Sequence, residues 1–213
     1  MDFAVIIITY GILFVGELGD KTQLIVFNLA LEYEKFYKVG IGASIGFAVI
    51  VTLGILFGAL ITAYIPLNII SLISGILFIS IGLWELRDIK SLYINERKLK
   101  PDEKSGVQNQ NIVESKDKKR FSWLRKNPYL AGFGFIFLME LGDKTQLLTI
   151  SLASIHSAPI EVWIGAFFAL ITVAWIGILA GATIARKVPK FYLKIVAISI
   201  FIVVGILVLV NSF

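Results

Sequence analysis

The chain has 213 residues, of which 57% are hydrophobic and only 16% charged, and its mean hydropathy is +0.85. Soluble domains carry about a quarter charged residues, so a water-soluble enzyme and a DNA-binding domain are both excluded, despite a formal charge of +5. Cysteine is absent and His156 is the single histidine, which excludes disulfides, thiolate chemistry and an imidazole-rich zinc site.

A helix needs about 20 apolar residues to cross a hydrocarbon core of about 30 Å. Six apolar segments follow one another, at residues 3–31, 39–65, 69–84, 128–155, 160–185 and 191–210. The third is the shortest. Polar breaks at 32–38, around Pro66, at 156–159 and at 186–190 separate them, and residues 85–127 form a long polar stretch that reads as a flexible linker. The N-terminus has no basic run and no small-residue cleavage site, so it reads as a mature first helix. The expected fold class is an all-α integral membrane protein with six transmembrane helices.

The octapeptide ELGDKTQL occurs at residues 17–24 and again at 140–147. Holding that offset without a gap places Gly42 on Gly165, Gly54 on Gly177, Gly58 on Gly181, Pro66 on Pro189 and Gly82 on Gly205. About a third of the positions between Leu13 and Gly82 recur unchanged between Ile136 and Gly205. The chain therefore reads as two three-helix units, 1–84 and 128–213, joined by the linker 85–127. Three crossings per unit force the second unit in from the opposite side, giving an inverted repeat of the kind found in secondary transporters. With the linker in the cytoplasm, every Lys and Arg other than Lys21 and Lys144 falls in a cytoplasmic segment, and both termini lie outside. That is the distribution the positive-inside rule demands.

Lys21 and Lys144 belong to the repeated motif, with Glu17, Asp20, Glu140 and Asp143. A charge near the bilayer centre costs at least about 2.5–3.5 kcal/mol on insertion scales, so such groups mark a site or a pathway. On a continuous helix, Glu and Asp at i, i+3 share a face and Lys follows at i+4. Thr22 and Gln23, repeated as Thr145 and Gln146, extend the polar face. Gly19 and Gly142 could permit an unwound turn whose carbonyl oxygens face a ligand. Four carboxylates against two ammoniums leave two net negative charges, which one divalent cation or two protons would neutralise. An all-oxygen donor set favours hard ions such as Ca²⁺, Mn²⁺ or Mg²⁺. A Glu–Lys pair that merely locks helix packing is the alternative for one copy; two copies, each with a carboxylate in excess, point to a site instead.

At these residues the sequence resembles the calcium/manganese cation–proton exchangers, whose signature is a pair of E-x-G-D-[KR]-[ST] motifs on the first and fourth of six helices. Both motifs match here without substitution. The resemblance implies that Glu17, Asp20, Glu140 and Asp143 bind the cation and exchange protons, and that Lys21, Thr22, Lys144 and Thr145 form the site, with Gln23 and Gln146 beside them. It implies a secondary active transporter, not an enzyme, that moves Ca²⁺ or Mn²⁺ out of the cytoplasm against protons and holds no permanent cofactor. The expected partners are the divalent metal ion as substrate and the lipid bilayer, with no nucleic acid; a homodimer is the assembly considered. Without an organellar targeting extension, the expected location is a prokaryotic plasma membrane.

Two other functions compete. An exporter of a small organic solute, such as an amino acid, could use the same scaffold, although four carboxylates and two lysines suit a small ion better. An intramembrane aspartyl protease would need G-x-G-D, and the first glycine is absent. A lysine after each aspartate also opposes the shared proton of that chemistry. Elsewhere, Gly42, Gly46, Gly54, Gly58, Gly177 and Gly181 read as helix-packing positions. Ser44, Thr52, Ser71, Ser74, Thr172 and Ser199 are expected to bond their own helix backbones. Asn28 and Ser151 could line a vestibule, His156 reads as a solvated turn residue, and the basic run 116–120 sets topology or meets anionic lipid.

Overall fold

A computed structural model describes residues 1–18, 20–98, 127–156, 158–187 and 190–210, without the side chains of residues 21, 24, 87–98, 180–187 and 190–193. Gly19, Pro189, the basic run 116–120 and the side chain of Lys21 thus lie outside the described residues. The described residues form eight helices: α1 (Phe3–Glu17), α2 (Lys21–Leu31), α3 (Phe36–Tyr64), α4 (Leu67–Lys98), α5 (Pro128–Glu140), α6 (Lys144–His156), α7 (Pro159–Lys187) and α8 (Lys190–Val210).

The first and fourth apolar segments, expected as continuous helices, are each broken inside the motif. α1 ends as Leu18 turns extended (φ −65°, ψ 117°), and α5 ends as Leu141 does the same (φ −67°, ψ 110°). The backbone bonds around the two breaks correspond residue for residue. Leu18 N donates to the Phe14 carbonyl and Asp20 N to that of Glu17; Leu141 N donates to Phe137 and Asp143 N to Glu140. Gly142 has a φ of 81°, a left-handed conformation that glycine alone adopts without cost. The polar segment begins as helix, since α4 continues through Lys98. Asp2 and Asn127 cap α1 and α5 by accepting from Ala4 N and Tyr129 N.

The two copies interlock. α3 packs on α5 and α6, and in the other copy α7 packs on α1 and α2; α4 and α8 pack on each other. The close approaches are at glycines that the offset relates. A Cβ at Gly42 would meet the Tyr129 carbonyl, and one at Gly165 the carbonyl of Ile6. Gly54 abuts Thr149 and Gln146, as Gly177 abuts Gln23; Gly82 abuts Ile202, as Gly205 abuts Ile79. Such reciprocity is the mark of a two-fold relation, in which residue i meets j and j meets i. Burial recurs in the same way, at Val39 and Val162, Ala43 and Ala166, and Phe78 and Phe201. The main hydrophobic core of the described residues draws on both copies.

Residues 36–64, 67–86 and 159–179 are helices long and apolar enough to cross a membrane; α1, α5 and residues 194–210 are shorter apolar helices. The outer surface is apolar over wide areas, with Ile7, Leu56, Ile73, Trp84, Phe168 and Leu207 exposed. In a soluble protein such patches would aggregate, whereas lipid solvates them. Ser44, Thr52, Thr172 and Ser199 donate to carbonyls one turn earlier in their own helices, as the sequence suggested. Ser151 is buried, and His156, expected in a solvated turn, is the half-buried last residue of α6.

Candidate functional site

Each motif contributes the last residue of one helix and the first turn of the next. The glutamates end α1 and α5, and both are buried, Glu17 at 4% exposure and Glu140 at 1%. Across the interface each carboxylate accepts a hydrogen bond from a threonine of the other copy. Thr145 Oγ1 donates to Glu17 Oε1 at 2.7 Å, and Thr22 Oγ1 donates to Glu140 Oε1 at 2.9 Å. The arrangement follows from the breaks: α2 and α6 begin with Lys-Thr-Gln, and the reciprocal packing aims the first turn of each at the opposite glutamate.

Lys144 pairs with the first copy instead of with Glu140, its i, i+4 neighbour. Its Nζ lies 2.6 Å from Asp20 Oδ2, 3.1 Å from Glu85 Oε1 and 3.7 Å from Glu17 Oε1. It also donates to the Gly16 carbonyl at 2.8 Å, one of the acceptors that a helix end leaves without an intrahelical partner. The intrahelical pair drawn on a continuous helix is therefore corrected for Lys144, because the break turns its side chain away from α5. Asp143 is exposed, and its Oδ1 accepts from the Lys144 backbone N–H at 2.7 Å. The glutamines also differ between copies. Gln23 Nε2 donates to the Val173 carbonyl at 3.4 Å, whereas Gln146 Oε1 accepts from Gly142 N at 2.7 Å.

The structure brings Glu17, Asp20, Thr145 and Lys144 together and sets Glu140, bonded to Thr22, near enough to Glu17 for their charges to interact, while Asp143 is exposed. Among the described residues no three Asp, Glu or His side chains are close enough to share a metal ion; the Lys144 ammonium occupies the space between the carboxylates around it. Beside Glu17 is a cavity of about 10 Å³ lined by Thr22, Gln23, Val26, Phe47, Leu170, Val173 and Ala174, at the lower limit for one water molecule. Glu140 Oε2 is buried and meets no hydrogen-bond partner among the described residues.

Glu85 was missed from sequence, where it stood as the first residue of the linker. It lies in α4 with its side chain only 15% exposed, bonded to Lys144. The available signal was a carboxylate directly continuing an apolar span with no counterpart in the repeat, since the offset places it on Val208.

A family profile described as "Divalent cation/proton antiporter GDT1" matches residues 5–92 and 128–213. A GDT1-like protein of Synechocystis is 29% identical over 83% of this chain and 82% of its own length. GDT1-like protein 5 of Arabidopsis thaliana is 29% identical over 91% of this chain and 90% of its own. A Vibrio cholerae protein carrying the provisional name of manganese exporter is 24% identical over 90% of this chain and 83% of its own. No solved structure matches the chain. With the profile covering both halves and both motifs, the chain belongs to the GDT1 family of divalent cation/proton antiporters.

Proposed function

We propose that the chain exports Ca²⁺ or Mn²⁺ from the cytoplasm in exchange for protons, using Glu17, Asp20, Glu140 and Asp143 as cation ligands and proton acceptors. The carrying observation is the crossed pair of buried carboxylates, each held by a threonine of the other copy. A site built in this way lies across the interface of the two halves, where a relative rocking motion opens it to one side and then the other. Glu140 Oε2, buried and without a hydrogen-bond partner among the described residues, supports proton binding, because a buried anion without a partner is costly and a proton removes that cost. A cation removes it equally, so the two compete for the same oxygens.

Lys21, Thr22, Gln23, Lys144, Thr145 and Gln146 shape this site. In the arrangement described, Lys144 fills the space between Glu17 and Asp20. Loading the cation therefore requires the ammonium to withdraw and Asp143 to close in. The oxygen donors favour a hard ion, and the name of the Vibrio relative favours manganese and the outward direction. The reciprocal contacts support six spans in two inverted halves, 1–84 and 128–213, and the distribution of Lys and Arg supports a cytoplasmic segment 85–127.

The test is transport by the purified protein in proteoliposomes under an imposed pH gradient, with Ca²⁺, Mn²⁺ and Mg²⁺ offered separately. Proton flux that depends on Ca²⁺ or Mn²⁺ is expected. Amino-acid movement with no divalent-dependent proton flux would overturn the proposal in favour of the solute exporter.

A further inference from the structure

We propose that Glu85 is a positioning residue that latches Lys144 and thereby holds the site closed on the side of the membrane that carries the linker. An ammonium has three donors, and three acceptors lie within hydrogen-bond distance of Lys144 Nζ: the Gly16 carbonyl, Asp20 and Glu85. Gly16 and Asp20 flank the break between α1 and α2, and Glu85 alone comes from α4. The pair therefore ties the start of α6 to α4 as well as to the break between α1 and α2.

The position of Glu85 gives the latch a direction. At 1.5 Å per residue, Glu85 lies about 27 Å along α4 from Leu67, towards the linker. Asp20 follows Glu17 on a segment running the same way, and it is partly buried against Lys144. Asp143, on the segment running the opposite way, is exposed together with Leu141 and Gly142. The cluster around Lys144 thus lies past Asp20, on the linker side of Glu17. The latch is also one-sided in sequence, because the repeat places Val208, which cannot pair with an ammonium, where Glu85 has its carboxylate.

A latch and a ligand differ in what their loss does. Removing a ligand weakens cation binding from both sides. Removing a latch destabilises one closed state, so the fraction of protein open to the linker side rises and the apparent affinity measured there improves, at the expense of the other side. The inference rests on the antiporter reading, and one experiment separates their failures: Ca²⁺- or Mn²⁺-dependent proton flux in inside-out and right-side-out vesicles. Absence of flux in the wild-type protein would overturn the antiporter reading itself. With wild-type flux present, Glu85→Gln is expected to lower the apparent KM on the linker side by about fivefold to tenfold. It should raise KM on the opposite side, and Glu85→Asp should restore wild-type behaviour in part. Equal weakening on both sides would make Glu85 a ligand, and unchanged KM values on both sides would make it a bystander; either result overturns the latch. If Glu85→Gln does not insert, Glu85→Asp alone carries the test, with the same signs and a smaller size.

Discussion

Around Glu17 the charges are satisfied: Thr145 bonds its carboxylate, and Lys144 sits among Glu17, Asp20 and Glu85. Around Glu140 the described residues supply less: Thr22 bonds one oxygen, the other has no partner among them, and Asp143 is exposed. The backbone around the two glutamates is nearly the same, break for break. Among the described residues, equal sequences at corresponding breaks thus show different side-chain partners.

The packing should prove symmetric and the charges asymmetric, and variants placed at related positions separate the two. The largest expected effect is on assembly. Gly42→Val and Gly165→Val each drive a side chain into a backbone carbonyl of the other copy. Each should cost about 3 kcal/mol, read as a fall in the unfolding midpoint of the detergent-solubilised protein. A large loss in one and none in the other would break the reciprocal packing.

Next in size, Lys144→Ala frees three carboxylates at once. It should shift the apparent cation KM by about tenfold, measured as flux against ion concentration. Lys21→Ala should alter affinity by a smaller factor, because the repeat has no second Glu85; equal shifts would contradict the asymmetry. Thr145→Val and Thr22→Val each remove one bond to a buried carboxylate, worth about 1.5 kcal/mol. Both should raise the proton affinity of the glutamate that loses its donor and weaken cation competition at low pH. Thr172→Val, which loses only a bond to its own helix, should change stability by less than about 0.5 kcal/mol and leave flux as it was.

Much of the fold was legible because lipid leaves a strong signature. Apolar length located the long apolar helices at 36–64, 67–86 and 159–179, and the ungapped repeat located the glycines that now prove to be contact points, as at Gly54 and Gly177. The helix breaks were half visible, since Gly19 and Gly142 suggested them while composition alone ran α1 into α2. What stayed hidden were the partners across the interface. Helical spacing relates Lys144 to Glu140 on one helix, and nothing in one sequence relates it to Asp20, which the break and the interlocking bring to 2.6 Å. Glu85 stayed hidden for a different reason. It is the point where the repeat stops being a repeat, and an acidic residue bordering a charged linker reads as part of it.

The central claim is that the two copies build one shared site. It is tested most directly by divalent-dependent proton flux in proteoliposomes containing Glu17→Gln or Glu140→Gln, compared at equal amounts of inserted protein. Both variants should lose flux by at least about 100-fold, although among the described residues the ion pair to Lys144 is made by Glu17 alone. Near-normal exchange by either variant would contradict a site that needs both halves.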